Sequence, residues 1–348
     1  MKDERAINLA AKIKKATDLK AFAGANLELS SHVDFGIPTG VPQLDLALQR
    51  PGLPAGRIVE VFGKEASGKS SLALSVMAQA QQMGGLAVYI DTERAMDADR
   101  AISCGIDLDN LVITEPGTIE EVIKSVDSTL DSVEPATSQN PLVIVVDSIT
   151  AVNSKGNLER DIDEEPRPGE DARVIKRGLR KLNPKIAEKR ALVIFINHVF
   201  YKMATMPFAK QTESTGGLSL KFMASVRIAL AAAGNLTEGK GPEQERLGML
   251  TAFDIEKNKV AHNGKPKFKA EVTEDGFDLY TGLWQAFLDI GSLDRQDTQN
   301  YHFLPTATTM RKKEWVDFVN GQQDGLSGMY RFFLMIAAKN NHIRPYGS

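Results

Sequence analysis

The chain holds a single cysteine, Cys104, in 348 residues, so no intramolecular disulfide can form and a reducing compartment, the cytoplasm, is expected. A lone thiol of this kind reads as a small buried apolar residue rather than a nucleophile. The five histidines are scattered, and no Cys/His cluster has the spacing of a zinc site. No apolar run reaches the length of a membrane span, and the opening Met1-Lys2-Asp3-Glu4-Arg5 lacks the apolar stretch of a secretion signal. Positive charge is not in excess either: the net charge is −3, so a polyanion would have to be held by local clusters of Lys and Arg. No repeat of solenoid length is visible. What remains, 42% hydrophobic and 25% charged, suits one large α/β domain with smaller lobes.

One stretch organises the rest. Gly63-Lys64-Glu65-Ala66-Ser67-Gly68-Lys69-Ser70 follows the apolar run Arg57–Phe62 and opens the periodic segment Ser71–Gln81, which predicts a strand-to-helix turn. There, glycines let the backbone wrap an anion, successive N–H groups and a helix N-terminus face it, Lys69 reaches the β- and γ-phosphates, and the Ser70 hydroxyl ligates Mg2+. A glycine turn with a solvated lysine is the plainer alternative, and the strand–turn–helix context speaks against it.

Residues 5–18 have the spacing of a short amphipathic helix on an irregular arm, suited to docking on a neighbouring subunit. Phe22-Ala23-Gly24-Ala25 resembles the Phe-x-x-Ala plug by which eukaryotic recombinases join subunits, with an ordinary buried Phe22 as the alternative. Beyond the phosphate loop, four apolar runs predict strands: Leu86–Ile90, ending in Asp91-Thr92-Glu93; Leu142–Val146, ending in Asp147-Ser148; Ala191–Ile196, ending in Asn197-His198; and Ala224–Ala232. Met249–Ile255 predicts another. Acidic residues at the C-terminal ends of parallel strands point into the ligand crevice, so Asp147 is a candidate for the metal shell and Glu93 for the general base. For Glu93 a surface carboxylate is an even alternative. Residues 154–172 and 199–217 read as long loops, either a groove for a nucleic-acid backbone or a lid over the nucleotide. Lys257 and Lys259 share one side of a strand, where a solvated edge is the plain reading. A helix is expected over Gly282–Ile290, and 291–348 reads as a small, mostly helical lobe carrying Arg311-Lys312-Lys313. The domain expectation is therefore 1–34, an oligomerisation helix and linker; 35–290, an α/β core with a mostly parallel sheet; and 291–348, a C-terminal lobe.

Seven motifs in order, from Gly52-Leu53-Pro54-Ala55-Gly56 through Tyr89-Ile90-Asp91-Thr92-Glu93, Ile144-Val145-Val146-Asp147-Ser148, Phe195-Ile196-Asn197 and Ser214-Thr215-Gly216-Gly217 to Lys221-Phe222, resemble the RecA recombinase family over roughly residues 35–290. His198 in place of the usual Gln, and Gly276-Phe277-Asp278-Leu279-Tyr280, look more like its phage UvsX branch. The resemblance implies a RecA-like P-loop NTPase core in an ATP- and Mg2+-dependent protein that forms helical filaments on single-stranded DNA and exchanges strands with homologous duplex DNA, with single-strand-binding and mediator proteins as further partners. It implies that Glu93 polarises the attacking water, that Gly63 to Ser71 hold phosphate with Ser70 and Asp147 at the metal, and that Asp97 and Arg100 bind the nucleotide. Arg100 falls where the family stacks a tyrosine on adenine, so cation–π contact would replace stacking. His198 would sense the γ-phosphate, Lys257 and Lys259 would reach the ATP of the adjacent subunit, and Phe22 and Phe222 would lie at the subunit interface. Arg167, Arg173, Arg180, Phe208, Gly216 and Gly217 would contact DNA, although the acidic run Glu159 to Glu165 opposes a simple electrostatic account of the first loop. A ring-forming helicase of the same fold, or a nucleotide switch without turnover, are the alternatives.

Overall fold

The computed structural model describes residues 33–160, 167, 169–201, 212–214, 218–238, 245–261 and 267–346. In chain order the first elements are β1 (Gly36–Ile37), α1 (Pro42–Leu48), β2 (Leu53–Pro54), β3 (Ile58–Gly63), α2 (Lys69–Gln82), β4 (Leu86–Asp91), α3 (Ala98–Ser103) and β5 (Leu111–Thr114). Next come α4 (Ile119–Asp131), β6 (Leu142–Asp147), α5 (Lys155–Leu158), α6 (Glu170–Lys189), β7 (Leu192–Tyr201), β8 (Thr212–Ser214) and α7 (Leu218–Met223). The last are β9 (Val226–Glu238), β10 (Glu245–Asn258), β11 (Lys267–Thr273), β12 (Gly276–Phe277), α8 (Leu279–Asp289), β13 (Leu293–Arg295), β14 (Asn300–Phe303), β15 (Thr308–Arg311), α9 (Trp315–Asn320) and α10 (Gly325–Lys339).

The central sheet runs β12-β11-β10-β9-β3-β7-β6-β4-β5, with β8 joined to β7 alone. From β9 to β5 every pairing is parallel, and from β9 to β12 every pairing is antiparallel. The expected α/β class with a mostly parallel sheet is therefore observed. β3 and β6 are buried along their whole length, as helices on both faces require. On one face α4 buries Ile119, Val122, Val126 and Leu130, and α6 buries Ile175, Leu179, Leu182 and Ile186. Gly178 makes their close approach possible, since a Cβ there would come within 2.5 Å of Ile123. Lys181 and Lys185 then pair with Asp127, each at 2.6 Å.

The structure corrects several expectations. The loop expected over 154–172 is shortened by α5 and by α6, which starts at Glu170 after Gly169. Of the segment expected as a loop over 199–217, the described residues are strand: β7 continues to Tyr201 and β8, Thr212–Ser214, pairs back on it, Val199 with Ser214. The C-terminal lobe is not mostly helical: β13, β14 and β15 form a three-stranded antiparallel sheet under α9 and α10. The helix expected from Gly282 starts at Leu279, where the Asp278 carboxylate accepts from the backbone N–H of Tyr280 (3.0 Å) and Thr281 (3.2 Å). Its Leu283, Trp284 and Phe287 pack with Phe303, Trp315 and Phe333 in a second core, with Phe287 edge-on to Phe303 at 5.0 Å.

One buried contact fastens this lobe to the larger core. The Tyr330 hydroxyl donates to Asp45 and accepts from the Gly40 N–H at 3.0 Å. Burial pushes the Asp45 carboxyl up to about 7, against the pull of the hydrogen bonds from Tyr330 and Thr39. Cys104 is half-buried against the main core, and burial raises its thiol, as expected of an inert cysteine. No described helix is long and apolar enough to cross a membrane. The helix expected at 5–18, with Phe22, Phe208, Gly216 and Gly217, lies outside the described residues.

Candidate functional site

β3 ends in Gly63, where a Cβ would come 2.2 Å from the Leu230 carbonyl of β9, so only glycine fits. The chain turns through Lys64 and Glu65 and enters α2 at Gly68, whose φ of 91° is left-handed. The turn is held from inside, with the Ser67 hydroxyl donating to the Lys64 carbonyl at 2.7 Å. It is held from below as well, where Thr251 of β10 donates to the Ser67 carbonyl at 3.3 Å. The Lys69 ammonium folds onto the Lys64 carbonyl at 2.7 Å, and burial lowers its pKa against the fields of Asp147, Glu93 and Glu65. A cation partly stripped of water beside a nest of N–H groups is what an incoming phosphate would satisfy.

β6 delivers Asp147 beside this turn. The Ser70 hydroxyl (2.8 Å) and the Tyr89 hydroxyl (2.6 Å) both donate to its Oδ2. Burial raises the Asp147 carboxyl, and those two hydrogen bonds oppose the rise. Among the described residues no group of three or more His, Cys, Asp or Glu could hold a metal. Ser70 and Asp147 are hard oxygen donors side by side, the kind Mg2+ takes from protein while water and phosphate complete its shell, so these two would hold it.

Glu93 follows β4. Its Oε1 accepts from the Ser148 hydroxyl at 3.0 Å and faces His198 Nε2 at 3.1 Å, and both side chains are about one third exposed, 36% and 32%. One residue past His198 begins the stretch of β7 that pairs with β8, so the imidazole sits at the root of that arm. Glu93 lines a cleft of about 570 Å³ with Ala66 to Ser71, Asp97 and Arg100 on one side, and Arg246 to Met249 with Val272 to Glu274 on the other. That volume falls within the ~300–1,000 Å³ of ligand pockets. Asp97 spends its carboxylate capping α3, accepting from Asp99 N at 2.8 Å and Arg100 N at 3.1 Å. Arg100 reaches back to the Ser71 hydroxyl at 2.8 Å.

Two groups of expected residues stand apart from this cleft. The Lys257 ammonium donates to the carbonyls of Lys221 (2.7 Å) and Phe222 (3.0 Å), and Lys259 comes within 3.5 Å of the latter. Burial, then Lys259 and Arg227, lower the Lys257 pKa to about 8. Phe222 beside them is 66% exposed. Arg173 and Arg180 lie on the outer face of α6, and Arg167 precedes that helix; all three are exposed.

Sequence reasoning missed several neighbours. Lys176 and Arg177 extend the α6 cations into a stripe at helical spacing, legible only once a helix is assigned there. Tyr89 and Ser148 stand inside two of the quoted motifs, but nothing in the sequence gives them their contacts to Asp147 and Glu93. The far wall of the cleft comes from β10 and β11, which reach the phosphate loop only through sheet order.

The RecA N-terminal domain family model matches residues 9–274. The chain is 40% identical over 226 residues to Protein RecA of Roseiflexus sp. (strain RS-1), covering 65% of this chain and 60% of that protein. It is 39% identical over 226 residues to Protein RecA of Chloroflexus aurantiacus (strain ATCC 29364 / DSM 637 / Y-400-fl), at 65% and 61% coverage. For Protein RecA of Xanthomonas campestris pv. campestris (strain B100) the values are 37% over 239 residues, at 68% and 65%. The match therefore spans about three fifths of the length of the first of these relatives, 60%.

Proposed function

This chain belongs to the RecA family, and from that premise we propose that it is a DNA-dependent ATPase that polymerises on single-stranded DNA and exchanges strands with homologous duplex. The single observation that carries the reading is the contact between Glu93 and His198 at the mouth of the phosphate cleft. It joins a carboxylate placed to orient water with a side chain at the root of the β7–β8 arm. Lys69 and the N–H groups of Ala66 to Ser71 hold the phosphates, and Ser70 with Asp147 would hold Mg2+, which when bound would supply charge neutralisation there. His198 donates to the γ-phosphate when that group is present and turns back to Glu93 when it is not, so occupancy of the cleft sets the arm.

Hydrolysis is completed across a subunit contact. Lys257 and Lys259 are not among the residues lining their own cleft and serve the nucleotide of the next subunit, with Phe222 packed in the same contact. The sheet edge at β5 supports polymer formation, since among the described residues β5 is the last strand of the sheet and its Val112 and Ile113 are 52% and 44% exposed. Segment 1–34, with Phe22, docks on the neighbouring subunit. Arg167, Arg173 and Arg180 contact the DNA backbone together with Phe208, Gly216 and Gly217, giving sequence-tolerant binding that weakens with salt. His198 favours the UvsX-like phage branch, which would place the protein in a host cytoplasm with single-strand-binding and mediator proteins as partners.

Phosphate release with and without single-stranded DNA, in wild type and Lys69→Ala, tests the reading, alongside electron microscopy with ATP, Mg2+ and DNA. Stimulated turnover and filaments are expected. A nucleotide-binding chain that neither assembles nor responds to DNA would contradict it.

A further inference from the structure

Between the cleft and the Lys257 surface lies a polar chain that neither site uses directly. Glu60 of β3 is completely buried in the middle of the sheet. Its Oε1 accepts from the Asn197 amide at 3.0 Å, and its Oε2 accepts from the Arg227 Nε. Arg227 lies directly opposite Glu60 on β9, itself buried, with its guanidinium 4.4 Å from the centre of the Phe62 ring. Its Nη1 donates to Glu256 at 2.7 Å. Glu256 sits where the β9–β10 register slips between Ile255 and Lys257, and that irregularity accompanies its turn toward Arg227. On the far side, Thr150 donates to Asn197 at 3.3 Å.

The two ends are what matter. Asn197 is one residue before His198, and Glu256 is one residue before Lys257. A planar guanidinium held on two carboxylates and stacked on a ring cannot rotate without losing one of those contacts. Buried ion pairs of this kind add little stability over well-packed apolar residues, so stability alone does not account for one here.

We infer that Glu60 and Arg227 are positioning residues that tie the placement of His198 to that of Lys257, so that nucleotide held in one cleft sets the cation offered to the next copy of this chain. The inference rests on the filament reading above. It makes each subunit contact a reporter of the occupancy of its own cleft.

The test is a double-mutant cycle on nucleotide-driven assembly. The midpoint protein concentration for assembly with a non-hydrolysable ATP analogue is measured by light scattering for wild type, His198→Ala, Lys257→Ala and the double variant. The four are then repeated in a Glu256→Gln background, since Glu256 lies at the partly exposed end of the chain. The two ends are expected to be non-additive by about tenfold in the native background. In Glu256→Gln they should become additive within about twofold. A merely structural Glu256 would lower thermal stability and leave the non-additivity in place. Should Glu256→Gln fail to fold, Glu256→Asp, which keeps the charge but shortens its reach, takes its place with the same expectation. Additive ends in the native background, or non-additivity that survives in the variant, overturns the inference while leaving the filament reading intact. A wild-type chain that never assembles with nucleotide removes both.

Discussion

The phosphate cleft and the Lys257 surface are built from neighbouring strands yet solve opposite problems. The cleft is rich in buried, partnered groups: Asp147 takes two hydroxyls on one oxygen, Ser67 closes the loop, and Lys69 is already folded inward. The Lys257 surface instead sets two ammonium groups on the backbone carbonyls of Lys221 and Phe222, beside a phenylalanine that is left exposed. Packing and hydrogen bonds can pre-form a site for a ligand within one chain. On the proposed reading the Lys257 surface serves a neighbour, and such a site stays exposed until the neighbour arrives.

Lys69→Ala should break the contrast most completely, because phosphate binding and charge stabilisation are lost together; kcat/KM for ATP is expected to fall by more than ~10³. Glu93→Gln should separate binding from chemistry, lowering kcat by about 10³ while a fluorescent ATP analogue still binds with native affinity. Lys257→Ala attacks the other region, and turnover in the assembled state should fall by about 10² with no change in nucleotide affinity of the dilute chain. The same lysine gives a pH signature: its ammonium is charged below about 8, so assembly-dependent turnover should decline as pH rises through that value.

Asp45 supplies the control, since it titrates nearby but touches neither region. Its carboxyl is raised from 3.8 to about 7, so the folded chain holds a proton that the unfolded chain has lost between those values. The associated stability is fully present below 3.8 and is lost as pH rises through about 7, an effect on the order of 4 kcal/mol. Thermal melts should therefore drop across that window and flatten in Asp45→Asn, without moving the pH limit of turnover.

What could be read from sequence follows the same division. β3, β4, β6 and the start of β7 are near-continuous apolar runs, because a parallel sheet covered on both faces demands them, and the phosphate loop declares itself by its glycines. α6 was hidden by its charges and by Pro184, although Ile175, Leu179, Leu182 and Ile186 keep a helical period. β11 alternates Lys267, Lys269 and Glu271 with Phe268, Ala270 and Val272, the pattern of a half-buried strand, which its high charge obscures. The short strands of the C-terminal lobe are three or four residues each, too brief for a period to show. The pairing of Glu93 with His198 spans 105 positions, and local pattern cannot reveal it.

Mixing two inactive chains tests the shared site most directly. Lys69→Ala lacks the cleft, and the combined Lys257→Ala and Lys259→Ala chain lacks the cation offered outward. Each alone should hydrolyse almost no ATP on single-stranded DNA, and the mixture should regain a clear fraction of native turnover, because contacts between unlike chains join a sound cleft to a sound lysine pair. A mixture no more active than its parts would show that the two regions do not meet across a subunit boundary.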